Sequence, residues 1–283
     1  MEQFEQMLNR VKRRLQQEIG DDLHSIVVYG SGSRLEDFSE IYSDLNILVI
    51  VSKKPEKFAH FTLIEEFRRP SLNLAFFTPQ EFEFLLSDGH PLAYLALYDG
   101  RVLFDDGLIS KYLEERPKPG LKTSNYLKSY SLTWFSIALE NYFKGYWLDV
   151  PNYLYKAIRD AVRSLAVKSM NSIPSSDQEI ISSISSLISA GDKARDIVSL
   201  FSTLKRFRLR ARPSRLGVQV LLLKALDALS ELYGVKPCNL RLLYDRLRTK
   251  GIIEIRVLIS EKRMCVKLRY FDPHTGEELE ELL

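Results

Sequence analysis

The residues best placed for chemistry lie in two short stretches, Val28-Tyr29-Gly30-Ser31-Gly32-Ser33-Arg34 and Ser43-Asp44-Leu45-Asn46. The first reads as a strand that leaves through a glycine-serine turn into a short helix. Glycines let backbone N–H groups approach a phosphate closely, Ser31 adds a hydroxyl, and a helix start favours negative charge. Gly30, Ser31, Gly32 and Ser33 are therefore the candidate anion cradle. The second stretch opens a strand on which residues 44 and 46 share one face. Two carboxylates at that spacing would chelate a divalent cation carrying nucleotide phosphates. Asp44 supplies one carboxylate; position 46 holds Asn.

The elements that must position these residues follow from hydrophobic spacing. Phe4, Met7, Leu8, Val11, Leu15 and Ile19 recur at helical intervals, and runs 25–29, 45–51 and 72–77 read as buried strands. Thr78-Pro79 opens a further helix, with Thr as its cap, and Val102-Leu103-Phe104 makes a last short strand. This is an α/β pattern with a mixed sheet. Pro117, Pro119 and Gly120 mark its end. Beyond them lie Tyr126, Tyr130, Trp134 and Ile137 on one helix, and Tyr153, Ala157, Ala161 and Leu165 on a second. The serine-rich stretch 169–202 follows. The chain then becomes basic at Lys205-Arg206-Phe207-Arg208-Leu209-Arg210. Two more helices follow, then alternating runs 253–259 and 264–271 that read as a hairpin. The expected organisation is an α/β domain over 1–118, an all-α helical bundle over 119–207, and a small basic helix-hairpin module over 208–283, winged-helix-like in its order of parts.

At the glycine-serine turn and the Ser43-Asp44 strand the chain resembles the nucleotidyltransferase superfamily, in particular the minimal nucleotidyltransferases joined or paired with a helical HEPN domain. Gly30, Ser31 and Asp44 match the family pattern position by position, and the resemblance covers roughly residues 20 to 106. It implies a small mixed sheet flanked by helices that binds a nucleoside triphosphate, ATP being the one expected, with Mg2+ held by three carboxylates. Two of those carboxylates are replaced here, by Asn46 and by Asn73 in Ser71-Leu72-Asn73-Leu74. An amide oxygen ligates a metal without bringing charge, and it cannot serve as a general base. The expectation is a degenerate nucleotidyltransferase that binds triphosphate and magnesium and transfers weakly or not at all. Asp44, Asn46 and Asn73 are the candidate metal positions, and Asp44 is the one catalytic candidate. Glu36, Asp37 and Glu40, in the loop between turn and strand, are substitute carboxylates in reserve.

Composition bounds the alternatives. The chain has 283 residues, 45% hydrophobic and 27% charged, which excludes disordered and fibrous classes. With two cysteines, Cys238 and Cys265, neither a disulfide framework nor a four-cysteine zinc site can form within one chain. No dinucleotide fingerprint or Gly-Lys-Ser/Thr loop is present, since residue 35 is Leu where a third glycine would stand. His24, His60, His90 and His274 show no metal-binding spacing, and Arg269 to His274, the one match to the HEPN ribonuclease spacing, falls in a turn. The sequence carries no membrane span or export signal, so a cytoplasmic protein in a reducing compartment is expected. Net charge is +3, yet residues 1–118 hold 14 Lys and Arg against 20 Asp and Glu, and residues 204–283 hold 17 against 10. The rival reading is therefore a non-enzymatic DNA- or RNA-binding regulator, with Arg208, Arg210, Arg241, Arg246 and Arg248 on phosphates and the first domain as scaffold. A protein partner or a homodimer is a further expectation.

Overall fold

The computed structural model describes residues 2–34, 44–55, 72–209, 212–247, 251–272 and 274–283, with the side chains of residues 2, 3, 208, 209 and 246 excepted. The chain divides into two compact units, residues 1–123 with 170–179, and residues 124–169 with 180–283. No helix among the described residues is long and apolar enough to cross a membrane.

The first unit is built on a four-stranded mixed sheet. Helix α1 (Glu2–Ile19) leads into β1 (Leu23–Tyr29), followed by β2 (Leu45–Val51), β3 (Leu72–Phe77), α2 (Pro79–Ser87), α3 (Pro91–Tyr98), β4 (Arg101–Asp105) and α4 (Leu108–Glu115). The order is β3-β2-β1-β4, with β1 antiparallel to β2 and β4, and β2 parallel to β3. Strand β2 is central and apolar at every position but Asn46, as a strand covered on both faces must be. Leu45, Ile47 and Val49 pack with Leu8, Val11 and Leu15 of α1. Leu48 and Ile50 face the other way, against Phe82, Ala93, Tyr94 and Ile109 of α2, α3 and α4.

The helices start where their chemistry says they should. Thr78 Oγ1 accepts the Glu81 N–H at 3.2 Å while Glu81 Oε2 accepts the Thr78 N–H at 2.8 Å, a reciprocal cap with Pro79 in the first helical position. Arg101 of β4 is held to Glu5 of α1 through two hydrogen bonds of 2.6 and 2.7 Å, which fastens the helix across the sheet.

The second unit contains most of α5 (Leu121–Lys144), α6 (Val150–Met170) and α7 (Asp177–Leu187), then α8 (Gly191–Leu209), α9 (Arg215–Tyr233), α10 (Leu240–Leu247), β5 (Gly251–Ser260), β6 (Arg263–Phe271) and β7 (Glu278–Leu282). The three strands form one antiparallel sheet in the order β5-β6-β7. The expected hairpin is β5-β6, and β7 adds a third strand that its sequence, Glu278-Leu279-Glu280-Glu281-Leu282, does not advertise. Helices and sheet share one core, running from Phe135 and Tyr142 on α5 through Leu226 and Leu229 on α9 to Val257, Leu268 and Tyr270 on the strands. The helical segment and the basic segment on either side of residue 207 are thus packed as one body. Ser124 and Ser164 hydrogen-bond reciprocally to each other's carbonyls at 2.8 Å where α5 meets α6. Buried Asp160 accepts from Trp134 Nε1 and Arg159 Nε, each at 3.1 Å.

Asp105 ends β4 and starts α4 by accepting the Ser25 hydroxyl at 2.7 Å, the Ile109 N–H at 3.0 Å and the Ser110 N–H at 3.1 Å. Burial works to raise its pKa, but the bonds from Ser25, Ile109 and Ser110 outweigh it, so the carboxyl sits below the ordinary aspartate value. A depressed pKa stabilises the fold above the unfolded-state value, and that stabilisation is lost as pH falls through the folded one. Asp105→Asn should therefore lower stability near neutral pH and flatten the acid limb of the stability curve. Denaturant midpoints measured from neutral pH down to the onset of acid unfolding check this; an unchanged acid limb would contradict it.

Candidate functional site

The glycine-serine stretch folds into a tight 3₁₀ turn, Gly30–Ser33, at the end of β1. Gly30 has φ +73°, a left-handed conformation that a side chain would strain. Gly32 is buried, and a Cβ there would stand 2.7 Å from Leu45 Cδ1 and 3.1 Å from Val28 Cγ1. One glycine thus turns the chain, and the other lets the turn lie flat on β1 and β2. Arg34 leaves the 3₁₀ turn in extended backbone, and the short helix expected between the turn and Ser43 lies outside the described residues. Four residues of 3₁₀ turn lack the aligned peptide dipoles of a long helix, so any anion affinity rests on individual N–H groups and hydroxyls. Ser33 Oγ donates to the Gly30 carbonyl at 2.7 Å and closes the turn on itself. Ser31 Oγ has no hydrogen-bond partner among the described residues.

Strand register brings the two amides to this turn. Tyr29 on β1 stands opposite Asn46 on β2, and Asn46 stands opposite Asn73 on β3, so the three lie in one row across the sheet. The row is on the face of Leu48 and Ile50, by the alternation of a strand. Asn73 Nδ2 donates to Asn46 Oδ1 at 3.2 Å. Asn46 Nδ2 lies 3.6 Å from where a Cβ of Gly30 would be, which places its donor end toward the turn. Asp44 is exposed and stands just before β2, which begins at Leu45.

Gly30, Asn46 and Asn73 are therefore gathered at one end of the sheet, with Asp44 at its edge. No group of three or more His, Cys, Asp or Glu residues that could hold a metal exists among the described residues. Asn46 Oδ1, the amide oxygen that would ligate an ion, already accepts the Asn73 N–H. Among the described residues, Asp44 and the amides of Asn46 and Asn73 bring one negative charge, which does not fit a pair of divalent ions. Glu36, Asp37 and Glu40 lie outside the described residues.

Two residues that the sequence did not single out belong to this end of the sheet. Tyr29 shares the row with the amides, and burial pushes its phenol above the ordinary value, keeping it a neutral hydrogen-bonding group. Its position in the register is the signal, legible only once β1 is paired with β2. Arg34 is ion-paired with Asp99 at the end of α3 and donates to the Ser175 carbonyl at 2.9 Å. It anchors the exit of the turn.

Of the five basic candidates, Arg241 alone has a described side chain. Arg241 is exposed on α10. Arg210 and Arg248 lie outside the described residues, as do the side chains of Arg208 and Arg246. On the C-terminal sheet Arg269 pairs with Glu278 and Glu254, Arg256 with Glu254, and Lys267 with Glu280. These cations are already met by carboxylates of their own sheet.

No family model matches the chain, and no curated protein matches it. Among solved structures it is similar to spectinomycin adenyltransferase AAD(9) from Enterococcus faecialis, solved with ATP and spectinomycin. That similarity has 15% identity and a TM-score of 0.49, covering 78% of this chain and 98% of that one. It is also similar to a nucleotidyltransferase-like protein from Exiguobacterium sibiricum 255-15, with 13% identity, 98% of each chain covered and a TM-score of 0.29.

Proposed function

We propose that the first unit is a nucleotidyltransferase-type domain that binds a nucleoside triphosphate such as ATP and has lost nucleotidyl transfer. The observation that carries this reading is the Asn73–Asn46 amide pair beside the Gly30 turn. Carboxylates in these places would repel one another and call for cations. The amides satisfy each other and leave Asn46 Nδ2 as a donor toward the turn. The turn's N–H groups, the Ser31 hydroxyl and the Asn46 amide suit phosphate oxygens, which accept hydrogen bonds only. Magnesium enters as the triphosphate's own counter-ion, with Asp44 the carboxylate that meets it. No group in the row can take a proton from an acceptor hydroxyl: both amides lack basicity, and Tyr29 is held neutral.

Calorimetric titration with ATP tests the binding. Gly30→Val, which places a β-branched residue at positive φ, should weaken affinity by about tenfold or more. Asp44→Ala should weaken binding in magnesium but not in EDTA, where the carboxylate only repels the triphosphate. Affinity indifferent to both substitutions would sink the site, and steady transfer of labelled nucleotide at about 1 s⁻¹ or faster would sink the claim of lost activity.

The amide pair makes its own prediction. Asn46→Asp combined with Asn73→Asp places two anions where the amides now touch, at a cost of about 1–4 kcal/mol for unit charges near 4 Å. The double variant should melt lower than the parent in EDTA and recover in magnesium without nucleotide, whereas the parent should be indifferent to magnesium. Equal stability of variant and parent in EDTA would contradict the account.

A further inference from the structure

Helix α9 has two characters along its length. Val218, Leu222, Ala225, Leu226 and Leu229 are buried in the core of the second unit. On the outer side Leu216, Val220 and Leu223 are 71%, 45% and 47% exposed. Spaced by four and three residues, they make a single ridge, and Asp227, also exposed, continues it by four more. Such a row of exposed aliphatics on one helix is not explained by folding of the unit, and contiguous apolar surface of this kind marks an interaction site.

The ridge is palindromic. If a second α9 is laid antiparallel with the two-fold axis between residues 219 and 220, Leu216 of one copy faces Leu223 of the other, twice, and the two Val220 side chains meet beside the axis. The same register sets Asp227 opposite residue 212, which is Arg212, exposed in the lead-in to the helix. Asp227 then also stands beyond the positive end of the partner helix, whose first turn is capped by Ser214. One alignment therefore pairs apolar with apolar and negative with positive, and it closes on itself as a two-fold interface must.

Shape follows the same register. Beside Leu223 is a cavity of about 420 Å³ between α5, α9 and α10, walled by Leu139, Tyr142, Leu222, Leu240 and Tyr244. Leu216, the most exposed aliphatic of the ridge, is the residue that the antiparallel register brings over Leu223 and hence to the mouth of this cavity. A knob in the first turn of the helix and a hole beside its middle, at Gln219, Leu222 and Leu223, are what a self-complementary contact in this register requires. Leu242 on α10, 41% exposed, extends the apolar surface on that side.

We infer that this face docks a second copy of the chain, α9 against α9 in antiparallel register about residues 219 and 220. Sedimentation velocity on the full chain at increasing concentration should show a monomer–dimer equilibrium. Leu223→Glu, at an exposed position, should keep the helical circular dichroism and melting behaviour while weakening the dimer by about tenfold or more. The register is tested by charge exchange: Asp227→Arg and Arg212→Asp should each weaken the dimer, and the two together in one chain should recover much of the loss. Three results would overturn the inference. They are a chain monomeric at every concentration, a dimer untouched by Leu223→Glu, and a charge exchange with no recovery. The first would leave the ridge to a different protein.

Discussion

The first unit depends on the burial of strand β2. Its apolar residues are wholly buried, facing α1 on one side and the α2–α3–α4 layer on the other. A slip of one residue would carry every side chain to the opposite face, so the register with β1 and β3 is set by the cost of exposing that run. Everything at the functional end follows from this constraint. Asn46 is the one polar residue of the strand, and fixed register alone puts it between Tyr29 and Asn73, beneath a turn that only Gly30 and Gly32 allow to lie so close.

That geometry explains why the substitutions matter electrically more than sterically. Asn and Asp have nearly the same shape, so the sheet, the turn and the row of three residues are compatible with either. What differs is the sign and size of the local charge. Carboxylates side by side on adjacent strands repel unless a cation lies between them. Amides in the same places hydrogen-bond to each other, as Asn73 does to Asn46, and need no cation. In the function proposed above, the turn still meets a phosphate chain while the amides call for no metal. Of the described carboxylates at this end, Asp99 is taken up by Arg34, and Asp44, just before β2, is exposed.

Much of this was legible in the sequence. The strands and the first helix announce themselves by spacing, and Thr78-Pro79 announces α2 because capping chemistry is local. The Asn at 46 is visible as a polar interruption in an apolar run. What was not legible depends on pairing across the sheet or on long-range contact. Tyr29 joins the site only through its partner on β2, and the engagement of Arg34 requires Asp99 and Ser175, far along the chain. In the second unit, helix spacing was readable, but the sharing of one core by bundle and sheet was not, since it rests on contacts such as the Val257 N–H on Ser136 Oγ at 2.8 Å. Strand β7 is mostly glutamate, and its pairing with the Lys267 and Arg269 strand supplies the reason it forms.

The central claim is that the amide row binds a nucleotide without the paired metal ions that transfer would need. Counting ions tests it most directly, with Mn2+ in place of magnesium and electron paramagnetic resonance reporting the free ion. The account predicts no Mn2+ held by the protein alone and at most one held when ATP is added. Two ions bound per chain with ATP, or any tightly bound ion without it, would contradict the account.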